Sequence, residues 1–304
     1  MSVMIYMRRQ TMANSVETAL RKGEERSKFI DGIATVLLTL RSNVAKGRIV
    51  IIVEGPDDVQ LYRRMYDSDK VIVYAANNCR HIFEILNNLN AKGYSYHLIG
   101  IKDADFDHVN GKNYNEYNNL FLTDWHDAEI VELESRTVVE TVWNKYTASN
   151  ASVNLKESIY NELQELSMLK WYNNNFHLNI LFKRDKIGAS VSSNDGVFDY
   201  TSYKANVFAR SDNAKKNFPE TAYRLWYLNH ITDVTSDVLP QITNGHDAVE
   251  LMFSKIKACK PQNLVYRDFT QSIRDCYPIS EYRQTKLATA IDKWARENLG
   301  TPLY

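Results

Sequence analysis

The sequence predicts an α/β protein: a four-stranded parallel sheet flanked by helices, followed by a mostly α-helical C-terminal domain. Three observations predict it. Residues 49–53 (Ile-Val-Ile-Ile-Val) form a continuous apolar run rather than an alternating one, as expected of a strand buried on both faces of a parallel sheet. Short β-rich runs alternate with helical patterns from there to about residue 135, the signature of a parallel sheet with crossover helices. After Ser135 the texture changes to helical stretches.

Taken in order, residues 14–42 read as a helix. Leu20, Phe29, Ile33, Val36, Leu37 and Leu40 fall at three- and four-residue spacing, and Asn14 or Ser15 suits the cap. Lys46-Gly47 breaks that pattern, and the strand at 49–53 follows. Glu54-Gly55-Pro56 ends the strand. Pro56 suits the first turn of a helix over 56–66, and Asp57 and Asp58 suit its positive end. A strand at 71–75, a helix at 80–92 closed by Gly93, and a strand at 97–101 repeat the cycle. A weaker fourth strand spans 120–122, and a helix begins at about Asp127. Helices are predicted over 136–147, 153–169, 219–230, 246–257 and 280–299, with an Asn/Ser/Asp-rich loop at about 190–217. These readings divide the 304 residues into an N-terminal helical segment (1–47), an α/β domain (48–135) and a mainly helical domain (136–304).

Composition excludes several classes. Hydrophobic residues at 44% and charged residues at 24% are ordinary for a globular protein with a sizeable core. No apolar run is long enough to span a membrane. Arg8 and Arg9 are followed by polar residues rather than an apolar stretch, so no secretory signal is expected. Cys79, Cys259 and Cys276 are scattered and odd in number, which suits a reducing cytoplasm and no zinc site. Formal net charge is zero, but its distribution is uneven. Residues 1–48 carry nine Lys/Arg against four Asp/Glu, 49–134 seven against fifteen, and the remainder 21 against 18. An acidic centre is either a solvated face or a site whose mutual repulsion a divalent cation relieves.

The positions of the acids favour the cation. Ligands of open α/β sheets bind at the carboxyl ends of the strands. The first strand ends in Glu54, the third in Asp103-Ala104-Asp105, and the fourth near Asp124, Asp127 and Glu129. Asp58 lies four residues after Glu54, one helical turn away if the helix starts promptly. An all-oxygen set suits Mg²⁺ or Mn²⁺ rather than zinc.

These residues resemble a known family. Val53-Glu54-Gly55 after a buried strand, with Asp103-x-Asp105 at the end of a later one, is similar to the Toprim domain of topoisomerases, primases and nucleases. The longer runs Val53–Val59, Lys102–Asp107 and Thr123–Glu129, with a later Asn244-Gly245-His246-Asp247, resemble the OLD-like Toprim nucleases of the DUF4435 type. The resemblance covers about 48–132 firmly and is thin elsewhere. It implies a Mg²⁺- or Mn²⁺-dependent endonuclease holding two ions on Glu54, Asp58, Asp103, Asp105, Asp127 and Glu129. Asp103 and Asp105 would be principal ligands, and Glu54 a ligand or general acid/base. Asp107 and Asp124 are further candidates. It also implies a toxic effector of anti-phage defence acting on tRNA or DNA, with tRNA favoured. The chain has no G-x-x-x-x-G-K-[ST] loop, so an ABC-type ATPase would act in trans. Self-association stays open.

Other features carry two readings. Lys183, Arg184 and Lys186 either bring cations to a nucleic-acid phosphate or form a solvated charged turn. His246-Asp247 either orients a catalytic group or starts a helix, with Asp247 near its positive end. His81, His97 and His177 read as structural or surface residues, and the oxygen-rich neighbours of His126 argue against metal ligation by its ring. The nineteen tyrosines and five tryptophans either stack on bases or pack. Two rivals stand beside the nuclease: a non-catalytic Toprim docking module, and a Toprim enzyme of primase or RNA-maturation type. A topoisomerase does not fit, because no tyrosine is singled out as a nucleophile and the length is too short.

Overall fold

The computed structural model describes residues 32–42, 47–147, 154–182, 185–211, 216–259 and 264–304. Of the N-terminal helix expected over 14–42, residues 32–41 are helical (α1), with Val36 fully buried; residues 14–31 lie outside the described residues.

Four strands form one parallel sheet in the order β2-β1-β3-β4: β1 (Ile49–Val53), β2 (Val71–Ala75), β3 (Leu98–Lys102) and β4 (Leu120–Leu122). β1 is central. It pairs in parallel with β2, Ile51 opposite Val73, and with β3, Ile51 opposite Ile99. Every residue of β1 and β3 is buried, which explains the unbroken apolar sequence of β1; β3 ends in the buried Lys102.

Helix α2 (Pro56–Met65) follows β1 without a loop. Gly55 is extended, Pro56 occupies the first turn, and the Asp58 carboxylate accepts the Gly55 N–H at 2.7 Å. Asp57 and Asp58 sit at its positive end and Arg63 and Arg64 at its negative end. Helix α3 (Cys79–Asn90) is capped by Asn78, whose side chain accepts the His81 N–H at 2.9 Å. Ile82, Ile85, Leu86 and Leu89 form its apolar stripe, and it packs on β1 and β3, while α2 packs on β2.

After β4 the chain is helical: α4 (Ala128–Glu134), α5 (Arg136–Thr147), α6 (Leu155–Phe176), α7 (Tyr200–Arg210), α8 (Glu220–His230), α9 (Leu239–Ile242), α10 (Gly245–Cys259), α11 (Tyr266–Cys276), α12 (Ile279–Tyr282) and α13 (Lys286–Leu299). The helical C-terminal region is therefore as the periodicity predicts, with differences in detail. The stretch expected as loop at 190–217 contains α7, started by Asp199, whose carboxylate accepts the Ser202 N–H at 3.0 Å. Helix α11 stands where no helix is expected, burying Phe269 and Ile273. Helix α6 runs seven residues beyond its expected end and stops at His177, whose φ is +51°.

The chain divides into two compact units, at a place other than the expected boundaries at 47 and 135. One takes the residues up to Lys102 together with Trp294–Tyr304, the other Asp103–Lys293. The physical reason lies within the second unit. The acidic segments that follow β3 and β4 hydrogen-bond to its helices, as described next. In the first unit the C-terminal tail is fastened to the end of α2: Tyr304 stacks on Tyr66 at 5.5 Å, and Lys70 donates to the Tyr304 carbonyl at 2.8 Å.

Candidate functional site

In the first unit, Glu54 is the residue after β1 and is half-buried. Asp58 stands at the third position of α2. Its carboxylate turns back onto the Gly55 amide, so the prompt helix start brings it to the residue beside Glu54.

In the second unit, Asp103-Ala104-Asp105 opens a tight loop. Ala104 is fully buried, and its N–H donates to the Thr123 hydroxyl at 2.9 Å; that hydroxyl donates in turn to the Trp125 carbonyl at 2.7 Å. The Asp105 N–H donates to the His126 carbonyl at 2.6 Å. Two motifs twenty residues apart are thus stitched together through the Ala104 and Asp105 amides, the Thr123 hydroxyl and the His126 carbonyl, leaving Asp103 half-buried and Asp105 exposed. Asp105 takes a φ of +48°, a left-handed conformation that aspartate tolerates better than most residues but that still carries strain. Asp107 is buried, accepting the Tyr114 hydroxyl at 2.7 Å and facing Lys112 at 3.5 Å.

Asp127 has a different setting. It is 5% exposed, and three groups converge on its carboxylate. Oδ1 accepts the Ile130 N–H at 3.0 Å, which caps α4. Oδ2 accepts the Gly245 N–H, the first of α10, at 2.7 Å and faces His126 Nδ1 at 3.0 Å. Two helix N-termini therefore share one carboxylate. Burial by itself raises its pKa, but the hydrogen bond and attraction of His126, then the Gly245 and Ile130 amides, outweigh burial and hold the group below the usual aspartate value. Gly245 is required here: a Cβ on it would lie 2.2 Å from Asp127 Oδ1 and 2.5 Å from Glu129 Cβ. His126 packs edge-on against Phe106 at 5.0 Å, and its buried Nε2 has no hydrogen-bond partner among the described residues.

Glu129, in the first turn of α4, is half-buried and pairs with His246 at 3.2 Å. The Glu129 hydrogen bond and charge push His246 up to about 9, and solvent around its 71%-exposed side chain tempers the pairing. Asp247 pairs with Lys170 of α6. Asn244–Asp247 is thus a helix start with Asp247 in the first turn, and it is also a structural neighbour of the third motif. Asp124 is a helix cap: its two oxygens accept the N–H groups of Lys286 and Leu287, each at 2.7 Å, at the start of α13.

The chain matches no protein-family model, and no curated protein matches it in sequence. Geometry therefore carries the reading. Among the described residues no three His, Cys, Asp or Glu side chains stand as a ready ligand group for a metal ion. Glu54, Asp103 and Asp105 have the hard-oxygen chemistry a divalent cation takes. Asp58, Asp127 and Glu129 each hold a neighbour: the Gly55 amide, two helix N-termini and His246.

Lys183 and Arg184 lie outside the described residues. Lys186 is exposed and lines a cleft of about 590 Å³. Many aromatic residues pack: Tyr172 meets Tyr223 at 5.1 Å and Trp226 at 5.2 Å, and Trp171 meets Trp226 at 5.0 Å. His81 bonds the Ala76 carbonyl and His177 ends α6, both structural roles, while His97 is exposed at the start of β3. Sequence reading missed the cap formed by Asp124 and the shared cap formed by Asp127. For Asp127 the local signal was an aspartate ahead of α4; for Asp124 there was none.

Proposed function

We propose that this chain is a divalent-metal-dependent nuclease of the Toprim type. The observation that carries the reading is the stitching of the Asp103–Asp105 loop to the Thr123–Asp127 segment. It joins the second and third carboxylate motifs at the ends of β3 and β4. Within the first unit, Glu54 follows β1 and Lys102 ends β3, its parallel neighbour.

In this reading Glu54, Asp103 and Asp105 are the residues that would hold Mg²⁺ or Mn²⁺, one ion or two, as the sequence motifs imply. A bound divalent cation supplies Lewis-acid polarisation of a phosphate and an activated water. The chain's own part is to present the carboxylates. Ala104 and Thr123 fix the loop that carries Asp103 and Asp105, and Glu54 stands ready to take or give a proton at the attacking or leaving oxygen. The substrate class is nucleic acid, with tRNA favoured over DNA. That preference, a toxic role in anti-phage defence and control by an ABC-type ATPase in trans rest on the resemblance to AriB, the effector of the PARIS system, and on the missing phosphate-binding loop. No helix among the described residues is long and apolar enough to cross a membrane, and we place the activity in the cytoplasm.

The test is cleavage of tRNA and of plasmid DNA by purified protein with Mg²⁺ or Mn²⁺, set against Glu54→Ala, with and without an ABC-type ATPase partner. Cleavage lost in Glu54→Ala supports the proposal. Equal cleavage by both proteins, or none from either in any arm, sinks it.

One observation favours a second reading, a docking module that keeps the fold without the chemistry. The Asp127 and Asp124 carboxylates hold backbone amides at helix starts. Calorimetric titration with Mn²⁺ separates the two: a docking module takes up no ion that Asp103→Ala abolishes.

A further inference from the structure

Apart from the carboxylates, the second unit contains a cleft of about 590 Å³ beside α10, within the range usual for small-molecule sites. Its floor is one face of α10, where Glu250, Phe253, Ser254, Lys257 and Ala258 recur at helical spacing. Tyr266 forms a side, its ring edge-on to Phe253 at 5.2 Å and 40% exposed. The opposite wall is the turn from Lys186 to Ser193.

The charges of this cleft are unequal. Glu250 is occupied: its two oxygens accept the Ile187 and Gly188 amides at 3.2 Å each, which fastens the wall to the floor. Gly188 makes that approach feasible, since a Cβ there would meet Ser254 Oγ at 3.2 Å and Glu250 Oε1 at 3.3 Å. Lys186 and Lys257 remain, both exposed and neither ion-paired to a described residue; Lys257 sits 5.4 Å over the Phe253 ring. Burial, then the negative charges of Glu250 and Glu129, raise the Tyr266 hydroxyl well above its usual value, so it stays a donor. Two cations, an exposed aromatic face and serine hydroxyls together match a ligand with an anionic group and a flat ring.

We infer that this cleft binds one nucleotide unit, its base against Tyr266 and Phe253 and its phosphate at Lys186 and Lys257. The cleft lies on the helix whose first turn meets Asp127 and Glu129. Seven residues, about 10 Å of helix, separate His246 from Phe253. As a holder of a substrate nucleotide beside the carboxylates, it rests on the nuclease reading; as a nucleotide site it stands without it. The unit is either part of a strand or a free nucleotide.

Metal-free calorimetry on the full chain tests the site with AMP, adenosine, inorganic phosphate and a short single-stranded RNA. AMP or the RNA should bind, and adenosine and phosphate more weakly. Lys257→Glu, Lys186→Glu and Tyr266→Ala should each weaken binding about tenfold or more, with melting temperatures unchanged. RNA binding tighter than AMP assigns the cleft to a strand, and AMP binding without RNA assigns it to a free nucleotide. Neither ligand binding, or binding that all three folded variants leave intact, overturns the inference. Glu54→Ala separates the two claims, because it should abolish cleavage and leave AMP binding unchanged. AMP binding by a chain that never cleaves nucleic acid retains the cleft and sinks the nuclease.

Discussion

The Gly245 amide and the Asp127 carboxylate meet at 2.7 Å across 118 residues of sequence, and there is no room between them for a methyl group. Gly245→Ala must push α10 away from α4 or displace both Asp127 and Glu129. We expect a loss of about 1–3 kcal/mol, the usual penalty for overpacking a buried site. Thermal or urea unfolding measures it, and a variant that unfolds with the wild type would disprove the close approach.

Asp127 makes stability depend on acid. Its folded pKa lies below the unfolded value of about 3.9, so its contribution is complete above that value and disappears as pH falls through the folded one. Asp127→Asn turns an NH₂ group toward amide donors and cannot ionise. The variant should be less stable at neutral pH and should lose less stability than the wild type as pH falls below about 4. Unfolding curves at stepped pH for both proteins decide this; parallel slopes would contradict the assignment.

Asp124 and Asp103 are both aspartates near strand ends, yet they should behave oppositely. Asp124→Ala uncaps α13 and should cost about 1 kcal/mol while leaving Mn²⁺ uptake unchanged. Asp103→Ala should abolish Mn²⁺ uptake. Calorimetry and melting on the same two preparations read both outcomes.

Asp105 holds a left-handed backbone that glycine adopts freely. Asp105→Gly should therefore match or exceed the wild type in stability, by up to about 1 kcal/mol, while losing nuclease activity. A destabilised Asp105→Gly would show that the carboxylate holds the loop rather than serving the chemistry.

Sequence reading recovers the elements that bury a full stripe or both faces. β1, with five apolar residues in a row, and α2, with Pro56 and two aspartates at its start, are legible because local physics fixes them. Helix α7 was hidden, since only Tyr203 and Val207 are buried and its surroundings are rich in Asn and Ser. Helix α11 was hidden because its apolar face is two residues, Phe269 and Ile273, completed by polar ones. The carboxylates were visible as a set, but their partners were not. Nothing near Asp124 announces the amides of Lys286 and Leu287, and nothing near Asp127 announces Gly245. Contacts of that separation leave no periodicity in the chain.

The shared cap at Asp127 also bears on synthesis. A ribosome releases residues 103–129 long before Gly245, so the acidic segments emerge while the amide that secures one of them does not yet exist. A nascent or proteolytically shortened chain would carry the acids without the finished constellation. Synthesis itself would then delay any toxicity until Gly245 has been made. A chain ending after Gln241 makes this measurable: it should bind Mn²⁺ no better than Asp103→Ala and should be harmless when expressed.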